Sequence, residues 1–294
     1  MFTRLAEILE AAKKGERKRI AMVGAEDVEG LKALKKVQEE GIADVILIGS
    51  SQSRKEAEKI GLRFEFIEAS DSEEAAYIGA KVVGEDRAHV LMKGLVKTST
   101  LLKAVLDPSY GLRKGRLLSH VAVIESPILN RLLLLSDGGM VIRPTLEQKV
   151  GIIENAVTVA RKLGIEEPKV ACIAAVEVVN PDMPETLEAA ALAQMNRRGQ
   201  IKGCVVDGPL GLDNALSEFA AAVKRVEGKV AGNADVLVVP DIHSGNFLGK
   251  SVVYLAGGKI AGVVVGASAP VVIVSRADTA ESKLYSIALG IALS

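Results

Sequence analysis

Residues 89–106, HVLMKGLVKTSTLLKAVL, decide the fold, because a strand, a turn and a helix follow one another inside them. The aliphatic run from His89 reads as a buried strand that Gly94 closes. Lys97, Thr98, Ser99 and Thr100 then form a polar step, and Leu101–Leu106 starts an apolar helix. Working outward, the same short runs of β-branched and aliphatic residues recur at 19–25 (RIAMVGA), 43–50 (ADVILIGS), 64–69 (FEFIEA), 120–126 (HVAVIES), 132–142 (LLLLSDGGMVI), 169–178 (KVACIAAVEV), 202–208 (KGCVVDG), 234–242 (ADVLVVPDI) and 260–276. Between them, 29–41 and 146–164 carry apolar residues at three-to-four spacing and end in Gly, as helices do. The alternation predicts an α/β fold with its sheet covered on both faces.

The regular pattern breaks between Glu125 and Arg143, where Pro127, Gly138 and Gly139 precede Pro144. A crossing between two lobes is expected there, with a return crossing near Ala267. The expected organisation is a first α/β domain of 1–126 with 267–294, and a second of 127–266. A double crossing leaves a cleft, and open α/β sheets bind ligands beyond the carboxyl ends of their strands. The residues just after strands are therefore the ones to read for chemistry.

Composition narrows the ligand. Among 294 residues, 37 Lys+Arg balance 37 Asp+Glu, so no basic stripe for nucleic acid is suggested. Aromatic residues make up 3% and Trp is absent, which removes stacking platforms and an interfacial belt. The apolar stretch 260–274 is broken by Gly and Pro and reads as a buried strand pair, not a membrane span. The N-terminal residues read as an amphipathic helix without a signal-peptide core. Cys172 and Cys204 sit singly in apolar runs, as buried thiols in a reducing compartment do. A cytoplasmic protein acting on a small molecule is expected.

Four segments offer chemistry. At 94–106, a helix N-terminus beside Lys97, Thr98, Ser99 and Thr100 suits an anion, although a Ser/Thr cap with a solvated lysine reads equally well. At 205–217, Asp207 and Gly208 follow a strand, Pro209 begins a turn and Asp213 stands as a helix cap; the carboxylate of Asp207 suits a base, or DGP is a plain turn. At 238–251, Asp241, His243, Ser244, Gly245 and Asn246 lie between a strand and a helix, whereas His89 and His120 start apolar strands and read as structural. At 270–290, Ser275 and Arg276 follow a strand directly, and arginine is built to hold two phosphate oxygens. Asp278 and Glu281, three apart, also read as a capping box.

Taken in order, KGLVKTST, LSHVAVIE, LLLLSDGGMVI, VVDGPLGLD, ADVLVVPDIHSGNFLGK and PVVIVSR resemble the phosphate acetyl/butyryltransferase family, over about two-thirds of the chain and most closely its butyryl branch. The resemblance implies an isocitrate/isopropylmalate dehydrogenase-like architecture of two α/β domains, with a homo-oligomer packed through the second. It implies reversible transfer of a short acyl group, butyryl above all, between coenzyme A and inorganic phosphate in a direct ternary complex. Coenzyme A is then a substrate, and no bound cofactor or metal is implied. Ser275 and Arg276 match the family's serine–arginine motif, the arginine holding phosphate and polarising the reacting carbonyl.

Two departures follow from the resemblance. Ser282 stands where the acetyl branch has an aspartate base, so the base is unassigned among Asp278, Glu281, Asp207, Asp241 and His243. The acetyl branch's arginine after the Thr-rich loop also lacks a match, leaving Lys97 or Lys103 in its place and Arg116 as a second phosphate ligand. Two rival readings stay open: a metal-dependent hydroxyacid dehydrogenase of the same fold, which lacks its paired aspartates and GxGxxG loop here, and a non-catalytic acyl-CoA or phosphate binding protein.

Overall fold

A computed structural model describes residues 1–274 and 278–294 and divides them between two compact α/β units. The terminal unit comprises Leu5–Arg116 and Ala261–Ser294; the central unit comprises Met1–Arg4 and Leu117–Ile260. In the terminal unit the chain runs through α1 (Leu5–Lys14), β1 (Lys18–Val23), α2 (Val28–Glu39), β2 (Ala43–Gly49), α3 (Ser51–Lys59), β3 (Glu65–Glu68), α4 (Ser72–Gly84), β4 (Val90–Lys93) and α5 (Thr98–Leu106). The central unit holds β5 (Ser119–Glu125), β6 (Leu132–Ser136), α6 (Leu146–Lys162), β7 (Lys169–Ile173), α7 (Pro184–Arg197), β8 (Val205–Leu210), α8 (Leu212–Leu216), α9 (Glu218–Lys224), β9 (Val236–Val238) and α10 (Ile242–Tyr254). The chain then passes through β10 (Lys259–Val265) to β11 (Val271–Val272) and α11 (Ala280–Leu293) of the terminal unit.

Strand order in the terminal unit is β3-β2-β1-β4-β11-β10, parallel except for β10 against β11. Ile20, Ala21, Met22 and Val23 are all fully buried, the continuous apolar run expected of a parallel strand covered on both faces. A core of Met22, Leu31, Leu34, Val37, Leu47, Met92 and the α11 residues Leu284, Ile287 and Ala288 fills one side. The apolar stretch 260–274 is the strand pair expected: β10 and β11 run antiparallel, with Val264 opposite Val271.

Strand order in the central unit is β5-β6-β9-β7-β8, parallel except for β5 against β6. Leu133, Leu135, Ala171, Leu237 and Val239 carry its core. The strand read at 169–178 stops at Ile173, where the register against β8 shifts; the rest is loop, and Val178 and Val179 face solvent. β8 runs on through Asp207 and Gly208 to Leu210.

Helix starts follow local chemistry. Asp27 accepts from Gly30 N, Asp71 from Glu73 N and Glu74 N, and Thr145 with Gln148 forms a complete capping box. Both cysteines are free; Cys172 is buried as expected, which pushes its thiol up to about 12, whereas Cys204 is only partly buried. Among the described residues no helix is long and apolar enough to cross a membrane.

Candidate active site

In the terminal unit β1, β4 and β11 run parallel, so their carboxyl ends share one edge. Two loops are stapled together there. Gly94 N donates to Val23 O at 2.8 Å and Leu95 N to Gly24 O at 2.6 Å. A Cβ at Gly94 would lie 2.2 Å from Gly24 O, and one at Gly24, with φ of 66°, would lie 2.8 Å from the Leu95 carbonyl carbon, so this approach requires glycine on both sides. The Lys93 amine reinforces the turn by donating to Gly94 O at 3.0 Å and Val96 O at 3.1 Å.

This staple aims the start of α5. Lys97 is the cap residue, in extended conformation and without a side-chain cap bond, and Thr98, Ser99 and Thr100 form the first turn. The helix thus begins three residues earlier than the sequence reading placed it, and no Ser/Thr side chain caps it. Among the described residues, the three hydroxyls and the Lys97 amine carry no hydrogen bond or ion pair. First-turn N–H groups, three hydroxyls and an ammonium are the donors that a phosphate needs.

Ser275 and Arg276 lie outside the described residues. Beyond them, the capping box expected of Asp278 and Glu281 gives way to a plain N-cap: Thr279 caps α11, its Oγ1 accepting from Ser282 N at 3.1 Å and donating to Ser282 Oγ at 3.1 Å. A threonine one residue later has the reach to the third helical N–H that Asp278 was expected to supply. Glu281 accepts from Tyr285 OH at 3.0 Å. Ser282 is buried and its hydroxyl and carbonyl are held by Thr279 and Ser286, so it does not stand in for a base. Arg116 and Lys103 are exposed, and Lys103 faces Glu73 at 3.9 Å.

The central unit's carboxyl edge is built differently. Asp137, 2% exposed, accepts from His120 N at 3.0 Å and from Gly139 N and Met140 N at 2.8 Å each. It locks the turn after β6; the sequence signal for it is an acid separated by one serine from four leucines and followed by two glycines, which the four segments read above for chemistry do not include. Asp241 caps α10, accepting from Ser244 N and Ser244 Oγ at 2.8 Å. The backbone N–H of Ser244, followed by its hydroxyl, holds this carboxyl below the usual range despite partial burial. Gly245 packs on Gly138, where a Cβ would lie 2.6 Å from the Gly138 Cα, and Asn246 Nδ2 donates to Gly138 O at 3.4 Å. His243 is exposed and stacks near Phe247, ring centres 6.1 Å apart.

The structure therefore brings Asp241, Ser244, Gly245 and Asn246 together with the turn at Asp137–Gly139. Asp207 stands apart: it lies inside β8 opposite Ala171, not after the strand, because the β7 ladder carries the chain past the DGP sequence. Its Oδ1 accepts from Gly208 N at 2.9 Å. Asp213 is not a cap either; Gly211 holds that position, and Asp213 pairs with Lys224 at 3.0 Å, which lowers its carboxyl.

The model of the phosphate acetyl/butaryl transferase family matches residues 4–76 and 69–291. A probable phosphate butyryltransferase of Bacillus subtilis (strain 168) is 49% identical over 293 residues, spanning 99% of this chain and 98% of the relative. The crystal structure of a branched-chain phosphotransacylase from Enterococcus faecalis V583 matches with a TM-score of 0.83 at 34% identity, covering 94% of this chain and 98% of that one. A putative 4-hydroxythreonine-4-phosphate dehydrogenase from Salmonella typhimurium matches with a TM-score of 0.58 at 15% identity, over 95% of this chain and 100% of that one. That last likeness speaks to fold alone, and the fold is the dehydrogenase-like α/β architecture that the sequence implied.

Proposed function

The chain belongs to the phosphate acetyl/butyryltransferase family and is an acyltransferase, and from that premise we propose that it exchanges a butyryl group between coenzyme A and inorganic phosphate in one ternary complex. The observation that carries this reading is the start of α5, where Lys97, Thr98, Ser99 and Thr100 present unengaged donors around a helix N-terminus. Phosphate sits there, with Arg276 holding it and polarising the acyl carbonyl as negative charge grows on oxygen. Ser275 and Arg116 complete the phosphate contacts.

In the thioester-forming direction a base takes the proton of a thiol whose free pKa is about 8.5, the thiolate attacks the acyl phosphate carbonyl, and the acyl C–O bond breaks to release inorganic phosphate. Asp241, its carboxyl stabilised in the ionised form by Ser244, is a weak base and serves to hold the first turns of α10, with His243, Gly245 and Asn246, in place for substrate. Asp278, just before the Thr279 cap of α11, and Glu281, in the first turn of that helix, are the two carboxylates proposed to take the thiol proton. Positioning both substrates lowers the barrier most, since the thiol needs only modest activation.

The protein works in the cytoplasm as a homo-oligomer, with the central unit as its contact. Phe247 and Tyr254, seven residues apart on α10, and Leu255, which caps it, support this: they are 66%, 69% and 84% exposed.

Initial rates measured while both acyl-CoA and phosphate are varied test the mechanism. Intersecting double-reciprocal lines with no acyl group left on the protein are expected; parallel lines with a trapped acyl-protein would overturn the ternary complex.

A further inference from the structure

Helix α11 is buried along nearly its whole length, and one of the side chains inside is a charge. Lys283 is 1% exposed and, among the described residues, is the largest of the fully buried side chains. It stands in the first turns of α11, where the helix dipole disfavours a cation. Burying an ammonium is costly unless a counter-charge recovers the loss, so an unpaired one is an expensive feature to keep.

Its surroundings do not neutralise it. Among the described residues, no hydrogen bond or ion pair reaches the Lys283 amine. α11 packs against α2, and the acids at the start of α2 are already engaged. Glu26 accepts from Ser50 N at 3.0 Å and Ser50 Oγ at 2.8 Å, Asp27 accepts from Gly30 N at 3.2 Å, and Glu29 pairs with Lys32 at 2.7 Å. Glu29 feels Lys283 only as a weak field behind that of Lys32, and its side chain is 54% exposed.

The position matters as much as the burial. Because β1, β4 and β11 are parallel, α2, α5 and α11 all start from the same edge, the one that carries Lys97–Thr100. A buried ammonium there adds to the positive ends of helices, and the missing counter-charge is an anion brought by a ligand. We infer that the Lys283 amine holds a phosphate group of a substrate, either inorganic phosphate or the phosphomonoester of coenzyme A, and is a binding residue of the reaction. This rests on the acyltransferase reading above.

The test uses the full chain, with Lys283→Met as the first variant and Lys283→Gln as the second should the first fail to fold. Binding of inorganic phosphate, coenzyme A and dephospho-coenzyme A is measured by calorimetry, and melting temperature is followed with and without each. The variant is expected to melt at or above wild type without ligand, because an uncompensated charge is gone, and to bind phosphate at least about tenfold more weakly. Weakening seen with inorganic phosphate identifies the substrate phosphate, and weakening seen with coenzyme A but not with dephospho-coenzyme A identifies the phosphomonoester. Affinities for all three ligands within twofold of wild type overturn the inference. A wild-type protein that binds phosphate through Lys283 yet turns over no thioester would count against the acyltransfer reading alone.

Discussion

At the carboxyl edge of the central unit, Asp137 and Asp241 accept hydrogen bonds from His120, Gly139, Met140 and Ser244 and hold their own turns in place. At the corresponding edge of the terminal unit, Lys97, Thr98, Ser99 and Thr100 engage nothing among the described residues, and the turn beneath them is held by backbone bonds and two glycines instead. Both edges come from the same strand–turn–helix design. In one, polar side chains are structural; in the other, the backbone carries the structure and leaves the side chains to a ligand. Removing them should therefore have opposite consequences for stability and activity.

The largest effect is expected at Arg276. Arg276→Ala should lower turnover by about 10²–10³-fold, as loss of one positioned donor to a developing oxyanion does, while the melting temperature stays near wild type. Thiol-release rates beside a thermal melt check this. Retained turnover would remove Arg276 from the reaction.

Next comes Asp137→Ala, which strands three N–H groups in a buried turn and should cost about 3 kcal/mol of stability in a denaturant titration. A loss below about 1 kcal/mol would mean that the turn does not need its carboxylate.

The triple variant Thr98→Ala, Ser99→Ala, Thr100→Ala reverses that pattern. Phosphate affinity should fall about tenfold, the equivalent of one or two hydrogen bonds, with little change in melting because those hydroxyls make no internal bond. Equal phosphate affinity in calorimetry would break the contrast between the edges.

The smallest effect concerns Asp241→Ala, expected to cost about 1 kcal/mol as a lost helix cap. Because the folded carboxyl sits below its unfolded value, its stabilisation is fully present above about pH 4 and is lost as pH falls through the folded value. Wild type and variant should thus differ by a constant amount from pH 5 to 7 and converge in more acid solution. A difference that grows on acidification would contradict the sign.

Much of this was legible in the sequence. Runs such as RIAMVGA and ADVILIGS announce parallel strands because burial on both faces forbids polar alternation, and Gly94 does close its strand, at a backbone approach that only the structure reveals. What stayed hidden depends on distant partners. The sequence at Asp207–Pro209 has turn chemistry, yet pairing with β7 extends it as a strand. Thr279 displaces Asp278 as a cap by one residue, a boundary that spacing alone does not fix. Lys283 reads as a solvated lysine on a helix until the packing of α1 and α2 around α11 closes over it.

Phosphate-dependent release of thiol from acetyl-, propionyl-, butyryl- and isobutyryl-CoA, with and without chelator, tests the proposed activity most directly. The expected result is release that requires phosphate, peaks at butyryl and is indifferent to chelator. Neighbouring chain lengths should differ by only about 1–3 kcal/mol per methylene. No release from any thioester would contradict it.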